Sequence, residues 1–585
     1  MRLVFDIEAN GFLKQLTTIH CLAIRNLDKE DEVWSYKPDE IEQGLEHLLQ
    51  ADELIGHNII AYDIPAIQKV YPQFDTKDIK ITDTLVLSRL IAADIGLRDY
   101  AKQPDMPKRL YGSHSLKAWG YRLGEYKGDF GENNDWSAWT QEMHDYMVQD
   151  TLVNHRLWYA LAPESWSQNS IDFEMKVADI CNRIGTEGWT FDTAAAGKLY
   201  AQLVKEKDEL TTELKDLFPP WNVEEDFIPR RNNKTKGYIA GVPFTKVKQV
   251  EFNPTSRKQI ELCLKRKYDW KPKEYNANGV AKIDETVLAS LPYPEAKSLS
   301  RVFMLQKRLG QLAEGKNAWL KLVDGKTLRH NINPNGTLTG RASHHQPNLA
   351  QVPAVRAEYG KECRELFTVP KGYSLVAADL SGLELRVLAS LMNDGGAYAK
   401  QILDGDIHTA NQEAMGLDTR SQAKTAIYAL IYGSGNTRLG EITGKGAEEG
   451  RRIRDAFVKA NPSFASLVRA AKAAVNNRGH LIGLDGRKVY CDSDFKALNY
   501  LIQCNGALIC KKWLQLTHEQ FTKLGIDARI VAWVHDEIQV KVRKGSEDVV
   551  CNLLRRMARE AGNHFKIQIP IEAESTVGTN WATTH

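Results

Sequence analysis

The sequence predicts a multidomain α/β protein. The chain has 585 residues, which is too long for one hydrophobic core. Short apolar runs typical of buried strands, such as residues 375–378, alternate with long amphipathic stretches typical of helices, such as residues 194–218. Hydrophobic residues make up 43% and charged residues 26% of the chain, proportions that exclude global disorder.

Charge and cysteine content narrow the classes of function. The formal net charge is only +2, which argues against a protein that coats nucleic acid but leaves room for a locally basic groove. None of the eight cysteines forms a C-x-x-C pair, so we expect neither structural zinc nor disulfides, and a reducing cytoplasm as the location. The first residues predict a strand instead of a signal peptide, and no run approaches the ~20 apolar residues of a membrane span.

The first chemical motif is the stretch 374–388, SLVAADLSGLELRVL. The apolar run 375–378 lies between Gly372 and Ser381-Gly382, which predicts a buried strand followed by a tight turn into a helix. Asp379 stands where that strand ends. Taken alone, such an aspartate is most simply explained as a helix cap.

A second motif, VAWVHDEIQV at 531–540, changes that interpretation. Apolar residues on both sides of His535, Asp536 and Glu537 predict a β-hairpin whose tip carries two adjacent acids. Two buried strands that each deliver an aspartate to one sheet edge would form a site for a pair of divalent cations. Paired hard cations held by carboxylates are typical of phosphoryl transfer.

A third motif lies between the first two. Arg420, Lys424 and Tyr428 are spaced at i, i+4 and i+8, which places them on one helix face, and Tyr432 follows one turn later. Cations followed by aromatic rings suit a nucleoside triphosphate, with charge for the phosphates and rings for the base and sugar. A merely solvated cationic face is the alternative.

The N-terminal region carries further acids. Alternation over residues 2–8 puts Asp6 and Glu8 on one face of a strand, and Asp63 follows an apolar stretch. Tyr146 and Asp150 lie four apart on one predicted helix face. Adjacent carboxylates indicate metal binding, and a solvent-facing edge strand is the alternative.

Together these motifs carry a resemblance to a known family. AADLSGLELR at 377–386, the segment 420–433 and VHDE at 534–537 resemble the three polymerase motifs of family A DNA polymerases, and in particular those of replicative polymerases of short-tailed lytic bacteriophages. The N-terminal acids are similar to those of DEDD-type 3′→5′ exonucleases in the tyrosine variant. The resemblance implies an RNase H-like exonuclease domain and a right-hand polymerase domain, divided into exonuclease 1–165, thumb 166–320 with a shortened basic loop 219–252, palm 321–400, fingers 401–480 and palm again 481–585.

The resemblance also implies roles in a polymerase site. Asp379 and Asp536 would hold two Mg²⁺ ions, with the backbone carbonyl of Leu380 completing the coordination and Glu537 beside the primer end. The residues implied for the nucleoside triphosphate are His408, Arg420, Lys424 (which would also donate a proton to pyrophosphate), Tyr428, Tyr432 and Glu384, the last of which would exclude a 2′-hydroxyl. The residues implied for DNA contact are Arg341, Asn348, Gln351, Arg487, Asn499, Gln503 and His535.

For the exonuclease site, Asp6, Glu8 and Asp150 would hold two further Mg²⁺ ions, Asp63 would support one of them, and Tyr146 would orient the attacking water. Mn²⁺ is an expected substitute for Mg²⁺ in both sites.

Partners follow from the same resemblance: primer-template DNA, dNTPs and a replisome helicase-primase, with the chain acting as a monomer in the cytoplasm of a bacterial host. In one phage member of the family a longer loop recruits host thioredoxin as a processivity factor. Because the loop at 219–252 is short, thioredoxin is a doubtful partner here. Its basic residues would face solvent or contact DNA directly.

Three alternatives remain open from sequence. A repair polymerase would carry the same motifs. A single-subunit RNA polymerase would share the palm, but the exonuclease motifs and Glu384 beside Tyr428 speak against it. A catalytically silent DNA-binding scaffold would not require carboxylates in both sites.

Overall fold

The computed structural model describes residues 1–102, 105–125, 135–276 and 278–585. These residues form two compact units. The first unit comprises Met1–Trp189, Arg329–Val352 and Val369–His585, and the second comprises Thr190–Leu328 and Pro353–Thr368.

The first unit begins with a five-stranded mixed sheet. In chain order its strands are Arg2–Ala9, Ile19–Asn26, Val33–Tyr36, Glu53–Gly56 and Lys80–Asp83. The first strand is central, antiparallel to the second and parallel to the fourth. Alternation sends Phe5 and Ile7 into one core and Val4 into another, so Asp6 and Glu8 share the face of Val4, as predicted.

Helices cover both faces of this sheet. They are Ile41–Leu48, Asp63–Val70, Thr84–Ile91, Ile95–Lys102, Leu116–Leu123 and Gln141–Leu161. Gln141–Leu161 packs against the first two strands, which brings Tyr146 and Asp150 to the face that carries Asp6 and Glu8.

A second sheet of four strands organises the rest of the first unit. Ala528–Val534 pairs with Glu537–Arg543, which pairs with Tyr373–Leu380, which pairs with Ala573–Gly578, and all three pairings are antiparallel. The predicted strand ending in Asp379 and the predicted hairpin at 531–540 are therefore confirmed. Val376 and Val540 lie in a core shared with Leu508 of the long helix Ala497–Leu524.

The remaining helices of this region lie between the strands of that sheet in the chain. They are Leu383–Leu391, Ala397–Asp404, Ile407–Met415, Arg420–Ile431, Asn436–Glu441, Ala447–Ala460, Pro462–Arg478 and Glu547–His564. Two short antiparallel pairs accompany them: Asn331–Asn333 with Ser343–His345, and His480–Ile482 with Lys488–Tyr490. Among the described residues, no helix is both long and apolar enough to cross a membrane.

One helix of the predicted thumb segment 166–320, Gln168–Glu187, lies in the first unit. Its residues Phe173, Val177 and Ile184 are buried in the same core as Val376. The sequence shows the amphipathic stripe of such a helix but not the surface on which the stripe packs.

The second unit is mainly helical. Thr193–Leu217, which coincides with the predicted amphipathic stretch 194–218, packs against Pro294–Leu309. The other elements are the helices Arg257–Tyr268, Glu285–Ala289, Trp319–Leu322 and Gly360–Glu365, the π turn Gly310–Glu314, and a small sheet of Trp189–Phe191, Thr327–Leu328 and Phe367–Thr368.

The segment 219–252, predicted as a loop, contains a β-hairpin instead. Trp221–Phe227 pairs with Phe244–Val250, and most side chains of both strands are exposed. Because neither face is buried, the strands lack the alternation of apolar and polar residues on which strand prediction depends. Cross-strand pairs of opposite charge, such as Glu225 opposite Lys246, support the hairpin.

Gly185 allows the close approach of helix Gln168–Glu187 to the chain around His330. A Cβ at this position would lie 2.2 Å from the carbonyl oxygen of His330. We predict that Gly185→Ala lowers the free energy of unfolding by about 1–3 kcal/mol, since backbone must move to relieve the overlap. Gly506→Ala is the matched control, since its Cβ would meet nothing nearer than Leu383 at 3.5 Å. Urea unfolding followed by tryptophan fluorescence measures both, and equal stability of the two variants would contradict the packing.

Candidate active site

The central sheet brings the two predicted aspartates to one edge. In the antiparallel register, Asp379 lies opposite Glu537. The backbone N–H of Leu380 donates to the carbonyl oxygen of Asp536 at 3.0 Å. His535 occupies the hairpin turn in the left-handed region, with φ of 59°. Residues separated by more than 150 positions in sequence are thus neighbours on two hydrogen-bonded strands.

The carboxylates at this edge disfavour one another's charge. The pKa of Asp379 is raised to about 7 by partial desolvation and then by the charges of Asp536 and Glu537, although its side chain remains accessible at the strand end. Burial likewise raises the pKa of Asp536. Divalent cations bind carboxylate oxygens and would remove this repulsion, so the pair is suited to hold them.

Glu537 differs from these two aspartates, because its ionised form is favoured. Burial opposes its charge, but hydrogen bonds from His585, Gln539 and Trp581 outweigh that effect and lower its pKa. Trp581 Nε1 donates to Glu537 Oε1 at 2.8 Å, and His585 Nδ1 lies 3.1 Å from Oε2. Sequence reasoning missed Trp581 and His585, because the last residues of the chain show no periodicity and no motif.

Glu384 connects the first and third motifs. Arg341 Nη2 lies 2.7 Å from Glu384 Oε1, and the Tyr432 hydroxyl donates to Oε2 at 2.9 Å. The rings of Tyr428 and Tyr432 have centroids 6.2 Å apart. The structure therefore brings Glu384, Tyr428 and Tyr432 together. The pKa of Tyr428 is raised by burial, then by the charge of Glu384, and then by that of Asp536.

The cations of the third motif lie on the helix Arg420–Ile431, where Arg420 and Lys424 are exposed. Arg420 forms an ion pair with Asp406, a residue that sequence reasoning missed. The pKa of His408 is lowered by burial and by the charge of Arg420, and its Nδ1 is buried without a hydrogen-bond partner among the described residues. His408, Arg420 and Lys424 thus form one group.

The residues predicted to contact DNA divide into three sets. Asn348, Gln351 and His535 are exposed, while Arg341, Asn499 and Gln503 are half-buried. Gln503 accepts a hydrogen bond from the Thr339 hydroxyl at 3.3 Å. The prediction for Arg487 is wrong, because its side chain is only 3% exposed and is paired with Asp485 and Glu174, each at 2.6 Å. An arginine in a GRK tripeptide is easily interpreted as a residue that contacts DNA. The local sequence does not show the buried acids that form ion pairs with it.

A separate acidic site lies on the N-terminal sheet. One carboxylate oxygen from each of Asp6, Glu8 and Asp150 lies within 4.8 Å of the others, a spacing that could accommodate a metal ion. Tyr146 is half-buried one turn before Asp150 on the same helix.

Asp63 is not part of this cluster. It is fully buried, and its pKa is raised to about 7 by burial and then by Asp83, with a smaller contribution from Asp150. The N–H of Ile7 donates to its carboxylate. Sequence reasoning assigned no role to Asp83, which accepts from the backbone N–H groups of Asn58 at 2.9 Å and Ile60 at 3.1 Å and so fixes the turn before Asp63.

The raised pKa of Asp379 predicts a pH dependence. The folded, metal-free protein keeps a proton on Asp379 between pH 3.8 and about 7, whereas the unfolded chain releases it. Stability from this group should therefore fall as pH rises through that interval, and Asp379→Asn should lack this component. Urea unfolding in EDTA at pH 5 and pH 8 tests this: the advantage of Asp379→Asn over the unmodified chain should grow with pH, and a constant difference would contradict the shift.

Comparisons with known proteins agree with this architecture. A family model described as DNA polymerase family A matches residues 240–583. The DNA-directed DNA polymerase of Escherichia phage T7 is 34% identical over 706 residues, and that of Enterobacteria phage T3 is 33% identical over 708 residues, each alignment covering 100% of both chains. The POL domain of Pol1 from M. smegmatis, in complex with DNA primer-template and dNTP, has a TM-score of 0.75 at 17% identity over 99% of this chain and 95% of that chain, which shows the fold. The chain therefore belongs to DNA polymerase family A.

Proposed function

We propose that this protein is a DNA-templated DNA polymerase that extends a primer 3′-hydroxyl and proofreads with a 3′→5′ exonuclease during phage DNA replication. The observation that carries the proposal is the pairing of the strand ending in Asp379 with the hairpin that carries Asp536. Full-length similarity to two phage polymerases supports a replicative role over a repair role.

In the proposed reaction, Asp379 and Asp536 hold the cations, and the carbonyl of Leu380 adds a backbone ligand. Two Mg²⁺ ions bound there would lower the pKa of the primer hydroxyl and neutralise the departing pyrophosphate. Glu537, whose ionised form is stabilised by hydrogen bonds from His585, Gln539 and Trp581, would lie beside the primer end. Desolvation and then repulsion by Asp536 and Glu537 raise the pKa of Asp379, and a bound cation would relieve both, which supports a cation site at this edge.

The proposed triphosphate site lies on the helices Arg420–Ile431 and Ile407–Met415. Arg420, Lys424 and His408 would contact the phosphates, and Lys424 would protonate the leaving group. Tyr428 would pack under the incoming sugar, with Tyr432 beside it. Glu384, fixed by Arg341 and Tyr432, would deny space to a 2′-hydroxyl, which disfavours the RNA polymerase alternative.

The proposed exonuclease site is the N-terminal cluster. Asp6, Glu8 and Asp150 would hold two Mg²⁺ ions, or Mn²⁺ in their place, and Tyr146 would orient the attacking water. Asp63 would act through its hydrogen bond from Ile7, which fixes the strand between Asp6 and Glu8. The convergence of three carboxylates within 4.8 Å supports this assignment.

The proposed partners are primer-template DNA and dNTPs, together with a helicase-primase, with the chain working as a monomer in the cytoplasm of the bacterial host. Arg341, Asn348 and Gln351 carry donors suited to the minor groove, where acceptors are alike for all correct base pairs. Asn499, Gln503 and His535 would complete the contact. Recognition of this kind tests pair geometry without requiring a sequence.

The two acidic sites should be separable by mutation. Asp379→Asn or Asp536→Asn should reduce primer extension by about 10³-fold or more, because each removes a cation anchor, and should leave exonuclease activity intact. Asp6→Ala with Glu8→Ala should do the reverse. Glu574→Gln is the matched control, since Glu574 lies opposite Asp379 on the other neighbouring strand. Release of dNMP and consumption of dNTP on one primed template measure both activities, and loss of both in any one variant would contradict separate sites.

Tyr428 should determine the response to dideoxynucleotides. Family members with tyrosine at this position accept them readily, since the hydroxyl can replace the missing 3′-hydroxyl in the pocket. Tyr428→Phe should raise discrimination against ddNTPs by about 100-fold or more. Without the Tyr428 hydroxyl, nothing takes the place of the missing 3′-hydroxyl, and the group that would bond to it is left unpaired. Tyr490→Phe serves as the control outside the pocket. Single-nucleotide incorporation kinetics measure the ratio, and equal ddNTP use by both variants would refute the assignment.

The proposed enzyme does not depend on thioredoxin. Its alignment with the phage T7 polymerase spans 706 positions against 585 residues here, so that relative contains sequence which this chain lacks. Adding thioredoxin to a primer-extension reaction should leave product length unchanged. Products several-fold longer would overturn this part of the proposal.

A further inference from the structure

Four charged side chains meet in the interior of the first unit. Glu174 lies on the helix Gln168–Glu187, and Lys511 lies on the helix Ala497–Leu524. Asp485 and Arg487 lie in the turn between the strands His480–Ile482 and Lys488–Tyr490. We call these four residues the interior charge cluster. Their side chains are between 0% and 5% exposed, so the charges are shielded from water and depend on one another.

The contacts within the cluster are short and direct. Lys511 Nζ lies 2.5 Å from Glu174 Oε1, and Arg487 Nη2 lies 2.6 Å from the same oxygen. Arg487 also pairs with Asp485 Oδ2 at 2.6 Å. Two cations and two anions make the cluster neutral, which is the condition under which buried charges are tolerated.

The cluster holds one further residue, Asn335. Its Oδ1 accepts from Lys511 Nζ at 3.0 Å and from Arg487 Nη1 at 3.3 Å. Asn335 begins the turn 335–341, which is closed by a hydrogen bond from the N–H of Gly336 to the carbonyl of Arg341 at 2.9 Å. Both cations therefore fix the first residue of a turn that ends at Arg341.

The other end of the same turn also lies close to the interior charge cluster. Gly340 has φ of 73°, and a Cβ there would lie 3.2 Å from Arg487 Nη1. Thr339 is tied to Gln503 at 3.3 Å. Arg341 then projects to Glu384 Oε1 at 2.7 Å, and Glu384 in turn accepts from Tyr432. A continuous set of contacts joins Lys511 to Glu384.

We propose that Lys511 is a positioning residue for Arg341: it fixes Asn335, and so the turn 335–341, in the geometry that lets Arg341 sense the primer-terminal base pair. This inference rests on the proposed polymerase function. Lys511 touches neither DNA nor nucleotide, and it acts only through the turn. Its removal should therefore mimic the loss of Arg341.

The test is the preference for a matched over a mismatched primer end, measured as the ratio of kcat/KM values for the next nucleotide. Primers with a 3′-terminal phosphorothioate resist exonucleolytic removal of the mismatch. Lys511→Met and Arg341→Ala should each lower the preference by about tenfold, since each costs one charged hydrogen-bond contact. The double variant should be no worse than Arg341→Ala, because the two residues act in series.

Lys512→Met is the matched control. Lys512 is the next residue on the same helix, but it faces Gln515 at 2.9 Å and the ring of Phe173, outside the cluster. It undergoes the same loss of charge, and its preference for matched ends should equal that of the unmodified chain. An equal loss in Lys512→Met and Lys511→Met would overturn the proposal, as would additive losses in the double variant.

Asn335→Ala keeps the proposal testable if Lys511→Met fails to fold. It leaves all four charges paired and removes only the link to the turn, so it should fold and still lose the preference for matched ends. Unchanged preference in Asn335→Ala would overturn the inference. Absence of template-directed extension by the unmodified chain would instead refute the proposed function, which separates the two failures.

Discussion

The antiparallel pairing of Tyr373–Leu380 with Glu537–Arg543 is the constraint on which the candidate site depends. The side-chain period of a strand is two, so a slip of one residue would send Asp379 to the opposite face of the sheet. Buried Val376, Ala378, Ile538 and Val540 oppose such a slip, because their own burial requires the same register. The hydrophobic core therefore determines the position of the acids.

The acids of the first unit fall into two groups, which differ in whether their surroundings compensate the negative charge. Glu537 and Glu174 are buried with donors or cations that compensate their charge. Asp379 and Asp63 have raised pKa values, because desolvation and then neighbouring carboxylates disfavour their ionised forms. The compensated acids hold the framework in place. Of the uncompensated acids, Asp379 lies at the proposed cation site, whereas Asp63 lies outside the cluster of Asp6, Glu8 and Asp150.

Much of the site could be predicted from sequence, because its strands are buried on both faces and therefore appear as short apolar runs. This applies to the strand before Asp379 and to the hairpin around Asp536. The helix carrying Lys424 could be predicted from the spacing of its side chains on one face. The hairpin at 221–250 could not be predicted, since neither of its faces is buried. The burial of Arg487 depends on Glu174, more than 300 positions away, and a local pattern contains no information about such a partner.

We propose that folding brings Asp379 and Asp536 to one shared cation site. X-ray diffraction from crystals grown with a dideoxy-terminated primer-template, the next dNTP and Mn²⁺ would test it most directly, because Mn²⁺ gives an anomalous signal. We expect anomalous peaks in contact with carboxylate oxygens of both aspartates and with the nucleotide phosphates. Nucleotide bound in the presence of Mn²⁺ with no peak between Asp379 and Asp536 would contradict it.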